Sequence, residues 1–296
     1  MCIRDRLGIG YEAVRAVNAG VVYCSTSGYG QDGPRAGWAG HDLDYLAVAG
    51  YLATTGPRAD GGPPIPGATI ADAAGGGMHA ALAVCAALAG RAATGEGTFL
   101  DVSVADGVLW LMSLAVDEHL ATGTAPGPGH DVLTGRYACY DTYRAGDGRW
   151  LAVAAIEAKF FANLCRALGC ESWIERQYDD KVQDAIRADL ADSFAAQPRH
   201  HWVAELSGAD TCVAPVQSVW EIEDDPQFAW RRAVVEAKHP GRGSFRQLGP
   251  VLAGTSPVTE PVVVPDDAGS DTDELLTAAG LSPERVAELR AAGVVA

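Results

Sequence analysis

Positive charge is scarce in this sequence: 22 lysines and arginines stand against 38 aspartates and glutamates, a formal net charge of −16. Neutralising a phosphate backbone takes clustered cations, so the balance argues against nucleic acid or an anionic membrane as partner. An anionic ligand would have to be held locally. Cysteine pairing is also missing. Cys2, Cys24, Cys85, Cys139, Cys165, Cys170 and Cys212 are odd in number, scattered among apolar neighbours and without a C-x-x-C pair. They read as buried free thiols, with no disulfide or zinc role. No H-E-x-x-H or comparable histidine spacing occurs, so no metal is expected. Without a G-x-S-x-G elbow, P-loop or kinase signature, serine hydrolysis and phosphoryl transfer have no anchor. No apolar run reaches the length of a membrane span, and Met1–Gly10 lacks the apolar middle of a secretory signal, so a cytoplasmic protein is expected.

What is present is enough for a sizeable core. The chain has 296 residues, 48% hydrophobic and 20% charged, which suits one large domain or two. Leu7–Asn18 reads as the tail of a helix and Gly20–Ser27 as a buried strand, with nothing before them to complete a first βα unit. Met1–Arg6 has no clear structural role. The loop Gly28–Pro34 follows at the carboxyl end of the strand, where open α/β sheets bind ligands. Its Gly28-x-Gly30 is only a fragment of a dinucleotide fingerprint, and a tight turn explains it equally well.

Further on, Thr98–Val104 reads as a strand and Ala105–Thr122 as one long amphipathic helix. Gly123–Gly129 cannot hold regular structure and serves as a linker. Tyr137–Arg144 and Arg149–Ile156 form a hairpin around Gly146-Asp147-Gly148, and helices are expected over Ala158–Leu168, Asp184–Ala196, Arg199–Leu206 and near Ser218–Arg232. Val234–Pro265 is Pro/Gly-rich with short β-like runs. Two short helices, Thr272–Ala279 and Pro283–Ala292, close the chain.

The candidate chemistry gathers between Gly40 and Met78. Gly40-His41-Asp42-Leu43-Asp44-Tyr45 opens the stretch, and Ile70-Ala71-Asp72 leads into three glycines and an Ala/Leu-rich helix expected over Met78–Leu88. Asp72 is thus delivered to a helix entrance, where N–H groups meet negative charge, and the glycines admit close approach to the backbone. His41 lies among Trp38, Leu43, Tyr45 and Leu46, which implies a partly desolvated imidazole poised as a base. A buried structural histidine is the competing reading. Surface placement is expected for His119, His130 and His239, and solvated positions for His200 and His201, while packing or a supporting hydrogen bond accounts for His79.

The residues carry a family resemblance. Ser25–Pro34 (STSGYGQDGP), Gly40–Tyr45 (GHDLDY), Ala71–Met78 (ADAAGGGM) and Asp101-Val102-Ser103 resemble the family III CoA-transferase superfamily (CaiB/BaiF), and the histidine in G-H-D is similar to its α-methylacyl-CoA racemase branch. Tyr140–Tyr143, Asp147–Arg149, Ala155–Glu157 and the tail Ala291–Val295 continue the likeness from Leu7 onward. Members begin with a Rossmann-like βα segment that holds much of the coenzyme A nucleotide. None is seen here, so the resemblance implies an N-terminally truncated fragment.

The implied fold is α/β: an incomplete Rossmann-like large domain plus a small α+β domain, with the C-terminal tail returning to the large domain. Its parts are 1–122 for the large CoA-binding domain, 123–136 as linker, 137–233 for the small domain, 234–270 as return linker and 271–296 for the C-terminal helices. An interlocked homodimer is implied, with the active site between the large domain of one copy and the small domain of the other.

The implied activity inverts the α-methyl carbon of a 2-methylacyl-CoA by two-base proton transfer through an enolate. His41 and Asp72 resemble the acid/base pair, and Glu157 the carboxylate that orients the histidine. Gly40, Asp42, Leu43, Asp44 and Tyr45, with Gly75, Gly76 and Gly77, resemble the coenzyme-contacting positions. N–H groups around Gly75–Met78 would face the enolate oxygen if that segment begins a helix. Coenzyme A enters only as part of the thioester, with no permanently bound cofactor. CoA transfer through a covalent Asp72 intermediate is the rival enzyme reading, and a non-catalytic scaffold is the third.

Overall fold

The computed structural model describes residues 3–256, 258–264 and 270–295. The expectations for Met1, Cys2 and Pro265 therefore lie outside the described residues. Two compact units divide the chain, Met1–Pro215 and Val216–Ala296.

The first unit opens with helices α1 (Ile3–Arg6) and α2 (Tyr11–Val17) and strand β1 (Val22–Ser27). The opening turn has a structural role after all, since the Arg4 guanidinium hydrogen-bonds Ser25 Oγ and Gln31 Oε1 beneath the end of β1. Helices α3 (Asp42–Val48) and α4 (Tyr51–Thr54) come next. A π-helical stretch, Ala71–Met78, then runs without a break into α5 (His79–Thr94). Strand β2 (Thr98–Ser103) lies parallel to β1, pairing Val22 with Thr98 through Ser27 with Ser103.

The helix expected over Ala105–Thr122 is two: α6 (Val104–Leu111) and α7 (Ser113–Thr122). At Met112 the backbone turns to φ −88° and ψ 6°, and its N–H is shared between the Val108 and Leu109 carbonyls. Such sharing tightens the last turn of a helix and redirects the chain beyond it. Tyr45, Leu46, Ala49, Ala71, Val104 and Val108 form the core here.

A second core in this unit is built on the predicted hairpin. Strands β3 (Tyr140–Arg144) and β4 (Trp150–Ala154) are antiparallel and are covered by α8 (Ala158–Leu168), α9 (Gln183–Ala195) and α10 (Arg199–Leu206). Strand β5 (Val213–Pro215) adds antiparallel to β4. Phe161, Leu164, Ile186, Leu190, Phe194 and Leu206 are completely buried, each worth about 1.5–3 kcal/mol of transfer free energy. Their polar neighbours are satisfied: Trp202 Nε1 donates to the Phe194 carbonyl at 2.8 Å and the Tyr143 hydroxyl to the Ala138 carbonyl at 2.6 Å. Burial of Tyr143 pushes its pKa far above that of a free tyrosine.

In the second unit the helix expected near Ser218–Arg232 is also interrupted, into α11 (Val219–Ile222) and α12 (Pro226–Trp230). Pro226 cannot donate into a preceding turn, and Asp225 caps the new start by accepting from the Gln227 and Phe228 N–H groups. Strands β6 (Val234–His239) and β7 (Gly243–Leu248) form a hairpin, and β8 (Val262–Val263) joins β6 in parallel. His239, expected on the surface, is buried. Alternation along β6 places it on the same face as Val235 and Ala237, and its Nδ1 accepts the Gly241 N–H at 3.0 Å. Helices α13 (Thr272–Ala278) and α14 (Pro283–Ala291) complete the unit.

Two general expectations are corrected. Only Cys139 and Cys165 are buried among the described residues, whereas Cys85 and Cys212 are exposed and Cys24 and Cys170 half-buried. The continuous helix Ala71–Thr94 has 24 residues and is long and apolar enough to cross a membrane, and little of it is buried within this chain. The glycines at 75–77 suggest a helix starting only at Met78, which conceals its length.

Candidate active site

Two helix N-termini meet at the candidate site. His41 is the residue preceding the first turn of α3, held in extended backbone at φ −131° and ψ 179°. Its N–H donates to Asp44 Oδ2 at 3.0 Å, while the Asp44 N–H returns a bond to the His41 carbonyl at 2.9 Å. An acid three residues after the cap closes the turn on itself. Asp72 lies in the first turn of the second helix, beside fully buried Ala71. The Asp72 N–H donates to Asp42 Oδ1 at 2.9 Å, so the carboxylate of one motif caps the helix start of the other.

The loop that delivers His41 is fixed by an aromatic strut. Tyr45 is buried, its hydroxyl donates to the Gly40 carbonyl at 2.5 Å, and its ring stands edge-on to Tyr29 at 5.1 Å between centroids. Burial raises the Tyr45 pKa first, with Tyr29, Asp72 and Asp44 adding to the rise. A Cβ at Gly28 would fall 2.5 Å from the Tyr45 ring, and one at Gly40 would fall 2.9 Å from the Tyr29 hydroxyl and the Tyr45 ring. Gly28 is therefore a seat for Tyr45, which accounts for the fragmentary glycine motif without a phosphate.

Several expectations need correction. His41 and Asp72 are exposed, as is much of Trp38 and Leu43, so burial does not desolvate the imidazole within this chain. Side chains near in sequence point away from a helix cap, and only Tyr45 and Leu46 turn inward. The segment Gly75–Met78 does not begin a helix, because helical geometry is already established before Ala71. In a π-helical stretch each N–H points at a carbonyl five residues earlier, as the His79 N–H does at Ala74, so these groups do not face a ligand.

Gly75 and Gly76 are buried against the chain itself. A Cβ on Gly75 would meet the Val104 carbonyl at 2.9 Å, and one on Gly76 would meet the Val104 side chain at 3.0 Å. Gly77 is exposed.

Leu43 is exposed, and the N–H groups of Asp42 and Leu43 take no partner among the described residues. Glu157 sits elsewhere. It precedes α8 with extended backbone, its side chain makes no capping bond, and its charge raises the pKa of Tyr178 and Cys212 nearby, burial being the larger cause in both. Among the described residues no hydrogen bond or ion pair joins Glu157 to His41. What the sequence did not reveal is the role of Asp42, since its partner lies thirty positions away.

The fold and site define an α/β protein with an imidazole and a carboxylate at adjoining helix N-termini. The pattern of CoA-transferase family III is matched over residues 3–266, and the chain belongs to that family. It is 30% identical to the alpha-methylacyl-CoA racemase of Homo sapiens over 299 residues, covering 99% of this chain and 76% of that protein. It is also 31% identical to the acetyl-CoA:oxalate CoA-transferase of Acetobacter aceti over 244 residues, 79% of this chain and 61% of that enzyme. The crystal structure of a CaiB/BaiF family protein from Brucella suis superposes with a TM-score of 0.69 at 26% identity, covering 86% of this chain and 67% of the other.

Proposed function

We propose that the protein is an acyl-CoA racemase that inverts the α-methyl carbon of a 2-methylacyl-CoA. The observation that carries this reading is the pairing of His41 and Asp72 at helix starts tied together by the Asp42–Asp72 bond. Inversion next to a thioester carbonyl requires one group to take a proton from one face and another to return a proton to the opposite face. The His41 imidazole and the Asp72 carboxyl are assigned these two roles, interchangeable with the direction of reaction. Each positioned proton-transfer group is typically worth about 10²- to 10⁴-fold in rate.

Loss of the α-proton places negative charge on the thioester oxygen. The unpartnered N–H groups of Asp42 and Leu43, at the positive end of α3, are suited to receive it, and one such donor is commonly worth roughly 3 kcal/mol. Coenzyme A enters as part of the substrate. We further propose a homodimer in which the small domain of one copy, carrying Glu157, covers the His41 site of the other, and so supplies both the carboxylate and the desolvation that one chain lacks.

The likeness to an oxalate CoA-transferase favours a second reading, in which the Asp72 carboxylate attacks the acyl group and then carries CoA as a thioester. Incubation with a 2-methylacyl-CoA in deuterated water separates the two. The racemase reading expects exchange of the α-proton for deuterium, loss of exchange in His41→Ala and Asp72→Asn, and no adduct on the protein. A hydroxylamine-sensitive adduct on the Asp72 peptide, with full CoA exchange in His41→Ala, overturns it in favour of the transferase. No thioester binding and indifference to Asp72 substitution leave a scaffold.

A further inference from the structure

The turn carrying His41 and the turn carrying Asp72 are joined by one hydrogen bond among the described residues, from the Asp72 N–H to Asp42 Oδ1 at 2.9 Å. Their other contact is the packing of Tyr45, Leu46 and Ala49 around Ala71. Apolar packing is non-directional, whereas a charge-assisted hydrogen bond fixes distance and angle. Asp42 follows His41 directly and lies in the first turn of α3, so its own backbone moves with the imidazole. Its side chain reaches across to the first turn of the other helix, where N–H groups have no carbonyl of their own helix to meet.

Resting on the racemase reading, we propose that Asp42 is a positioning residue. Its carboxylate sets the Asp72 turn relative to His41 and so holds the two proton-transfer groups on opposite sides of one substrate carbon. The division of labour within G-H-D-L-D-Y follows. Asp44 fixes the His41 backbone, Tyr45 fixes the loop at Gly40, and Asp42 fixes the partner helix.

The test uses the full chain with 2-methyldecanoyl-CoA in deuterated water, comparing wild type, Asp42→Ala and Asp42→Asn. Asparagine keeps an acceptor oxygen where Oδ1 stands, and alanine removes it. A displacement of about 1 Å in a catalytic group costs on the order of 10²-fold, so Asp42→Ala should lose about that factor in kcat with little change in KM. Asp42→Asn should recover most of it. In the same samples, hydrogen exchange at the Asp72 amide should speed up in Asp42→Ala and stay protected in Asp42→Asn, a readout independent of activity.

Equal amide protection in all three proteins overturns the inference whatever the activity does. A fall in kcat that is as large in Asp42→Asn as in Asp42→Ala also overturns it, because then the charge and not the bond is what matters. Wild-type protein that turns the thioester over without exchanging its α-proton removes the racemase reading instead, and the amide protection then still reports whether Asp42 holds the helix.

Discussion

Gly107 faces the backbone of Gly75 so closely that a methyl group on Gly107 would lie 2.0 Å from the Gly75 carbonyl oxygen. That contact locks α6 against the π-helical stretch one turn beyond Asp72, and Val104 and Val108 fill the space on either side. The candidate acid/base residues are exposed, but they stand on a junction with no room for a single added carbon.

Gly107→Ala should therefore destabilise the protein by about 1–3 kcal/mol or more, since backbone rather than a flexible side chain must move. The control is Gly90→Ala in α5, where nothing lies within 4 Å of the added methyl. There the gain in helix propensity should stabilise by roughly 0.5–1 kcal/mol. Urea midpoints of the two variants should shift in opposite directions, and equal shifts would contradict the packing described.

Much of this was legible in advance for a physical reason. The second core follows from local patterns: the G-D-G turn between alternating strands, and α8, predicted over the residues where it lies, from the amphipathic run after Glu157. The placement of His41 and Asp72 at helix starts was legible because short-range sequence marks such starts. What stayed hidden depends on distant contacts. A triple glycine reads as a break unless Val104, Val108 and Gly107 are known to press against it, so the helix reads as starting late. His239 was misplaced because turn residues beside it outweighed the two-residue alternation of β6. The acceptor role of Asp42 toward Asp72 stayed hidden because a partner thirty positions away leaves no local trace.

The Arg136–Asp180 pair offers a pH test. Two parallel bonds of 2.9 Å join the guanidinium to the carboxylate, and the guanidinium hydrogen bond holds the Asp180 pKa below the ordinary 3.8. A carboxyl depressed in the folded state binds fewer protons there than in the unfolded chain. Its stabilisation is thus complete above pH 3.8 and fades as pH falls through the lower folded value. The difference in Tm between wild type and Asp180→Asn should be constant near neutrality and shrink to nothing in acid. A difference that grows in acid would reverse the sign.

Thiol chemistry should be selective at the end of α8. Cys165 is fully buried, and the neighbouring Cys170 thiol together with that burial raises its pKa. Cys170 is half-buried and so the more accessible of the two thiols. Only the thiolate reacts, so brief iodoacetamide treatment of the native chain should alkylate Cys170 well before Cys165 or Cys139. Peptide masses decide it, and labelling of Cys165 at the same rate as Cys170 would count against the burial assigned to it.

The last prediction concerns how the catalytic set is completed. The His41 imidazole makes no hydrogen bond or ion pair to a carboxylate of its own chain among the described residues, Asp44 binding only the backbone N–H, and the Glu157 side chain makes no capping bond on its helix. An imidazole that must gain and lose a proton in each cycle is tuned by a neighbouring carboxylate, which fixes its orientation and raises its proton affinity. If a second copy supplies that carboxylate, His41→Ala and Glu157→Ala each inactivate every site in their own homodimers. A mixed dimer behaves differently: one of its two sites combines an intact His41 with an intact Glu157. Co-expression with two affinity tags and purification of the doubly tagged species should therefore restore up to half of the wild-type α-proton exchange per dimer. Activity in the mixture no higher than in either parent, from a doubly tagged species shown to be a stable dimer, would place Glu157 and His41 of one chain together and require that chain to close on itself.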